Sequence, residues 1–406
     1  MPGNICDVVK NTVNFVSKPK RVTMITRKAN EIRPFIVMEV LEKAAEMEKR
    51  GEHIIHLEVG EPDFDVPKCV SEAVAQAYTE SRTHYTHSLG DSELRQEIVK
   101  RYRQEYDVEI LAEQVIVTSG SSPAILLTLG VLCESGDEVI ISDPGYACYQ
   151  NFIRFVNAVP VKVPVFEEDG FQYRPEEIKK RITAKTKAII INSPMNPTGN
   201  LLSEEVMKEI VQTGIPVISD EIYHGLVYEG RAHSILEFSD NAFVLNGFSK
   251  LFAMTGLRLG YVIAPAEAVR PMQKLQQNLF ICAGSTVQRA GIAALRSAQK
   301  EVQIMREIYN QRRLFLIEGL QKLGFRIQVP PTGAFYVFVN AKHLSTDSYR
   351  LAFDILEKAK VGVTPGIDFG ENGEGFLRFS YANSIENIEE GLKRLENYLK
   401  EYYPGK

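Results

Sequence analysis

Apolar residues fall along this chain in two rhythms. Between positions 115 and 264 they come in short consecutive runs, at 115–117, 138–141, 159–165, 188–191, 217–218, 243–245 and 258–264, separated by helical or loop segments. A strand that is apolar at consecutive positions is buried on both faces, as in a mostly parallel sheet covered by helices on both sides. The pattern therefore predicts an α/β fold around a mostly parallel sheet of those seven strands.

Outside that region the rhythm is helical. Val37, Leu41, Ala44 and Met47 recur three or four apart before Gly51, and Leu94, Ile98 and Tyr102 share one face of a helix over 93–106. A long helix is predicted over 302–323 with Gly324 ending it, another over 347–359, and a last one on which Ile385, Ile388, Leu392, Leu395 and Leu399 are in register behind Asn383 or Ser384 as cap. Short strands are expected at 54–57, 326–329 and 335–339. The expected division is a large domain at 65–285, a smaller α+β domain from 25–64 and 286–406, and an N-terminal arm at 1–24.

Composition narrows the class. With 406 residues, 44% hydrophobic and 24% charged, the chain has the make-up of a soluble enzyme with a large core. A net charge of -5 leaves no domain-wide basic field for nucleic acid, and no apolar run reaches the roughly 18 residues a membrane span needs. The 5 cysteines are odd in number, widely spaced and form no Cys-x-x-Cys pair, which favours free thiols in a reducing cytoplasm over disulfides or a metal site. Residues 8–30 are basic without an acidic residue, as in organelle transit peptides. Asp7 and the lack of a convincing amphipathic helix there count against that reading, so a mobile or dimer-wrapping arm is expected instead.

Candidate chemistry gathers at the ends of the predicted strands. Lys250 follows the run 243–245, at the carboxyl end of a buried strand where open α/β sheets bind ligands. An ammonium buried there must lose its proton or become something else, and a Schiff base with an aldehyde is one such outcome. Arg258 lies eight residues on, between Gly256 and Gly260, and its planar, permanent charge suits an oxyanion. Ser119-Gly120-Ser121-Ser122-Pro123 follows the strand at 115–117, with Ser122 expected as N-cap and Pro123 as the first helical residue. A helix N-terminus offers an exposed anion only about 0.3–1 kcal/mol, so hydroxyls from Ser121, Ser122 and Ser249 together with Arg258 are needed to complete an anion cup. Asp220 closes the run 215–220, and a carboxylate buried there needs a cationic partner.

These pieces sit within longer motifs. They are Leu57-Glu-Val-Gly60-Glu-Pro-Asp-Phe64, Tyr85 with Gly90, Asn196-Pro-Thr-Gly199, Asp220-Glu-Ile-Tyr223, Asn246-Gly-Phe-Ser-Lys250, Met254-Thr-Gly-Leu-Arg258-Leu-Gly260, Gly333-Ala-Phe-Tyr336, Pro365-Gly366 and Arg378-Phe-Ser-Tyr-Ala382. In content and order the set resembles the aminotransferases of classes I and II, the aspartate aminotransferase-like fold-type I enzymes that depend on pyridoxal 5'-phosphate. The resemblance implies that the large domain binds this cofactor through a Schiff base on Lys250. It implies a phosphate cup of Gly120, Ser121, Ser122, Ser249 and Arg258, Asp220 on the ring nitrogen, Tyr223 and Asn196 on the phenolic oxygen, and Tyr146 stacked on the ring. Gly60, Asn196 and Arg378 are implied to bind the substrate, with Arg378 taking its α-carboxylate, and Tyr85 to reach the cofactor phosphate of the other subunit of a homodimer.

Two departures stand out. Gly247 replaces a phosphate-binding serine found in some aspartate aminotransferases, and the stretch 276–288 has no Lys or Arg where those enzymes lend an arginine to the other subunit's dicarboxylate substrate. A dicarboxylate donor is therefore less favoured. The implied function is amino transfer between an amino acid and a 2-oxo acid, with Lys250, Asp220 and Tyr223 as the catalytic residues. A carbon–sulfur lyase or an aminocyclopropane-carboxylate-synthase-like elimination needs the same motifs and stays open at this level. A regulator that joins this fold to a helix-turn-helix domain would need more than the roughly 24 residues that precede the family-like sequence.

Overall fold

The computed structural model describes residues 25–32 and 34–404. The expected arm at 1–24 lies outside the described residues. Thr26 caps a short helix, Arg27–Glu31, its hydroxyl accepting from Ala29 N at 3.3 Å.

In the rest of the chain the apolar runs become strands. After β1 (Ile55–His56) come β2 (Val115–Thr118), β3 (Glu138–Asp143), β4 (Val159–Pro164), β5 (Thr186–Asn192), β6 (Val217–Asp220), β7 (Ala242–Gly247) and β8 (Gly260–Ile263). Strands β2 to β8 form one 7-stranded sheet in the order β2-β8-β7-β6-β5-β3-β4. Its neighbours are parallel except at β8, which runs antiparallel to both β2 and β7. The sheet is the expected α/β sheet, apolar on both faces. Val115, Val117, Ile189, Ile191 and Val244 point into one core, shared with Leu94, Ile98 and Tyr102 of helix Ser92–Tyr106. Ile116, Ala188, Ile190, Phe243 and Leu245 point into the other, under helix Ser121–Leu132 and Met272 of helix Ala266–Leu279.

The remaining strands are β9 (Tyr336–Asn340), β10 (Val361–Gly362), β11 (Thr364–Pro365) and β12 (Phe376–Ser380). They make a three-stranded antiparallel sheet β11-β12-β9, while β10 pairs with β1 in parallel. Helices Ile36–Lys49, Gln299–Lys322, Ser348–Ala359 and Ile385–Tyr402 accompany them. Ser384 is the cap of the last, accepting from Asn387 N at 3.1 Å.

Two local expectations fail. Residues 326–329 do not form a strand; Arg326 makes a single bridge to Asn340, and Pro330 and Pro331 follow at once, with no N–H to extend a ladder. The helix expected to start at Pro123 starts at Ser121, and its N-cap is Gly120 at φ 97° rather than Ser122. Gly120 holds a left-handed backbone that a serine adopts only with strain.

Candidate active site

Because β2, β5, β6 and β7 are mutually parallel in direction, their carboxyl ends, Thr118, Asn192, Asp220 and Gly247, share one edge of the sheet. β8 runs the other way and so begins at that edge, with Gly260 beside both Thr118 and Gly247. A cavity of about 370 Å³ opens there, lined by Gly60, Ser121, Ser122, Tyr146, Asn196, Asp220, Tyr223, Lys250 and Arg378, nine of the residues singled out from the sequence. Gly120, Ser249, Arg258 and Tyr85 do not line it.

Lys250 stands just past β7, and its Nζ donates to the carbonyl of Gly60 at 2.6 Å. Burial lowers its pKa to about 8, helped by the positive charges of Arg378 and Arg258 and opposed by Glu61 and Asp220. The amine is thus far easier to deprotonate than an ordinary lysine. Gly60 has its own reason to be glycine, since a Cβ there would lie 2.7 Å from Tyr336 Oη.

Asp220 ends β6 and is buried. Its Oδ2 accepts from the Tyr149 hydroxyl at 2.7 Å and its Oδ1 from Ile222 N at 3.2 Å. Burial nevertheless pushes its pKa up to about 6, the two hydrogen bonds and Lys250 pulling the other way. A carboxylate so desolvated at a cavity wall is suited to a cationic partner. Tyr146 packs edge-on against Tyr149, ring centroids 5.2 Å apart.

At the mouth, Arg258 is exposed and adopts φ 54°, an uncommon backbone for an arginine. Its Nη1 donates to Thr255 O at 2.8 Å. The guanidinium lies against Gly120, where the Cζ would be 3.1 Å from an added Cβ, so glycine is what lets this cation approach the N-terminus of helix Ser121–Leu132. The Arg258 guanidinium therefore lies at the N-terminus of helix Ser121–Leu132, and Ser121 and Ser122 line the adjoining cavity, which is a setting for a phosphate. Ser249 is buried beside Lys250.

Arg378, in the middle of β12, is buried. Its Nη1 donates to Asn196 Oδ1 at 2.9 Å and its Nη2 to Glu58 O at 2.8 Å and Thr364 Oγ1 at 3.2 Å, while Nε has no partner. Its Cζ lies 4.2 Å from the centre of the Tyr336 ring. Among the described residues no carboxylate pairs with it. Tyr223 shares a 2.8 Å hydrogen bond with Tyr336, hydroxyl to hydroxyl.

Sequence reasoning passed over Tyr149, Tyr336 and Asn192, all of which line the cavity. Tyr336 closes a motif already quoted, and Tyr149 lies three residues after Tyr146, so both were within reach of spacing alone. Asn192 braces the loop after β5, accepting from Asn196 N at 2.8 Å and donating to Asp220 O at 2.9 Å. Tyr85 is 80% exposed on this single chain.

The chain as a whole has known relatives. Residues 52–395 match the family model for aminotransferases of class I and II. A (5-formylfuran-3-yl)methyl phosphate transaminase of Methanocaldococcus jannaschii is 41% identical over 93% of this chain and 100% of its own length, and an aspartate aminotransferase of Pyrococcus horikoshii is 39% identical over 94% and 99%. Among solved structures, a Methanococcus jannaschii protein described as similar in its active site to kynurenine aminotransferases superimposes with a TM-score of 0.87 at 40% identity, covering 93% of this chain and 100% of that one. Thermus thermophilus aspartate aminotransferase with maleate gives 0.88 at 35%, covering 92% and 99%. The chain belongs to the class I and II aminotransferases, a family that depends on pyridoxal 5'-phosphate, and it is a transaminase.

Proposed function

We propose that this transaminase binds pyridoxal 5'-phosphate in the cavity at the sheet edge and moves an amino group between an amino acid and a 2-oxo acid. The observation that carries the proposal is that Lys250, Asp220 and Arg378 reach one cavity from three different strand ends or strands and, among the described residues, no ion pair uses any of them. The residues fit the cofactor: the glycine-floored cradle of Gly120, Ser121, Ser122 and Arg258 suits its phosphate, and the desolvated Asp220 suits its ring nitrogen. When bound, the cofactor supplies an aldehyde that condenses with amines and a ring that withdraws electrons from the substrate α-carbon.

Each side chain then has a task. Lys250 Nζ, which loses its proton at about pH 8, would hold the cofactor, yield its place to the substrate amine and carry the α-carbon proton. Asp220 keeps a proton on the ring nitrogen by offering it a negative charge, and Tyr149 keeps Asp220 in that charged form. Arg378 takes the substrate's α-carboxylate with its fork, Nε being the donor still to be satisfied, and the Tyr336 face and Asn196 fix its plane. Tyr223 and Asn196 would hold the phenolic oxygen, and Tyr146 would offer its flat face to the ring. Ser249 adds a hydroxyl to the cradle.

The same proposal includes the division at 64/65 and 285/286, a cytoplasmic setting, and a homodimer in which the exposed Tyr85 serves the neighbour's phosphate. Purified protein should be yellow, and a panel of amino acids against 2-oxoglutarate and pyruvate should give the matching keto acid. Lys250→Ala should lose both the colour and any borohydride-reducible link to the cofactor. Retention of that link in Lys250→Ala would assign the wrong lysine.

A further inference from the structure

The cavity carries two unlike sets of side chains. One set is charged and is used by the amino-transfer reading. The other comes from the start of helix Ile36–Lys49 and the residue before it, and it is apolar: Phe35, Val37, Met38 and Leu41. Among the described residues no Lys or Arg besides Lys250 and Arg378 lines the cavity, and the one carboxylate there besides Asp220 is Glu61, which accepts from the Thr255 hydroxyl. The Phe35 ring stands edge-on to Tyr146 with centroids 6.1 Å apart, so the apolar set meets the aromatic one directly.

This wall is anchored from the far end of the chain. Helix Ile36–Lys49 has no side-chain cap of its own. Instead Asp368 accepts from Ile36 N at 2.9 Å and from Val37 N at 3.3 Å, and it is buried while doing so. The next residue, Phe369, lays its ring 4.9 Å from Arg378 Cζ. A single turn, Gly366–Phe369, thus touches both the first residues of the wall and the arginine of the site.

We propose that this wall selects the substrate: an amino acid with an uncharged apolar or aromatic side chain, read by Phe35, Met38 and Leu41, with Asp368 as the positioning residue that sets their seat. The inference rests on the amino-transfer reading. A second carboxylate set against Phe35 and Leu41 loses its hydration and meets no cation on that wall among the described residues, whereas an apolar side chain gains by leaving water. One methylene in such a pocket discriminates by about ten- to two-hundred-fold, and an unpartnered charge discriminates more.

The test uses the holoenzyme. Single-turnover loss of the lysine-linked cofactor absorbance is followed with phenylalanine, leucine, alanine, aspartate and glutamate, and binding of the unreactive acids 3-phenylpropanoate and succinate is measured by calorimetry. Phenylalanine and leucine should exceed both acidic amino acids in kcat/KM by roughly tenfold or more, and 3-phenylpropanoate should bind more tightly than succinate. Phe35→Ala should erase that difference, and Met38→Arg should shift it towards the diacids. Asp368→Ala should raise KM for phenylalanine but not for alanine, with kcat kept, and Asp368→Glu should restore it; an equal rise for both substrates overturns the role given to Asp368. Aspartate or glutamate matching phenylalanine, with succinate bound as tightly as 3-phenylpropanoate, overturns the substrate class and leaves amino transfer standing. No spectral change with any amino acid overturns amino transfer itself, and this inference with it.

Discussion

The Tyr149 hydroxyl donates to Asp220 Oδ2 at 2.7 Å, and this bond is what most opposes the burial that pushes Asp220 up to about 6. Without it the carboxyl rises further and is protonated over more of the neutral range. A hydrogen bond to a charged acceptor is worth about 1.5–3 kcal/mol, so Tyr149→Phe should slow turnover by roughly one to two powers of ten. The acid limb of the kcat profile should move to higher pH while cofactor content holds. An unmoved limb would detach Tyr149 from the rate.

Asp220→Ala should lose amino transfer far more than it loses cofactor. In the proposed arrangement the carboxylate would act on the ring, while the contacts that hold the phosphate would come from the other side chains of the site. Turnover close to that of the unaltered protein, with cofactor bound, would remove Asp220 from the mechanism.

Lys250 sets a pH dependence in the cofactor-free protein. Its amine is protonated below about 8 and neutral above, so the rate of pyridoxal phosphate uptake should climb through that pH and level off. Between about 8 and the ordinary lysine value of 10.5 the unfolded chain holds this proton and the folded one does not. Lys250 therefore adds to stability as pH rises across that window, and its burial counts against stability below it. Arg258→Gln removes a neighbouring positive charge and should shift the uptake profile to higher pH.

Gly120→Ala tests the cradle by geometry alone. At φ 97° an alanine is strained, and its methyl meets the Arg258 guanidinium. Cofactor retention should fall at least about tenfold, the scale of 1–3 kcal/mol of local strain. Equilibrium dialysis measures it, with circular dichroism to show that the fold persists.

Tyr85 tests the proposed homodimer. Mixing inactive Tyr85→Ala with inactive Lys250→Ala under subunit exchange should restore activity, because each heterodimer then has one site with both lesions and one with neither. Heterodimers that form and stay inactive would place Tyr85 in its own subunit's site.

The sheet was legible in the sequence because burial on both faces writes itself as unbroken apolar runs; Ile189, Ile190 and Ile191 alternate between two cores and yet all read as strand. Asp220 and Lys250 were legible because they follow such runs, and Gly60, Asn196, Tyr223 and Arg378 because they lie within motifs. What escaped depended on tertiary partners. The N-cap went to Gly120 instead of Ser122 because a guanidinium eight residues beyond Lys250 needed the space of a missing Cβ. Asp368 could not be read as the cap of a helix 332 positions away, and the bearing of Tyr149 on the site rests on a carboxylate 71 positions away.

The reversed strand β8 has a consequence for how such a protein can change. Gly247 and Gly260 stand side by side, so the twelve or so residues between them form a closed loop clamped by pairing at both ends, and Lys250 and Arg258 ride on it together. The pairing of β8 with two neighbours fixes both ends of that loop and with them the placing of both side chains. The helix that carries Met38 and Leu41 is not held by strand pairing: Asp368 seats its start, and a Lys43–Glu357 ion pair, a hydrogen bond from Tyr349 to Glu39 and the buried Val40, Ala44 and Met47 hold the rest. New substrates can therefore be acquired by rewriting the beginning of the chain, while the lysine loop passes unaltered from one specificity to the next.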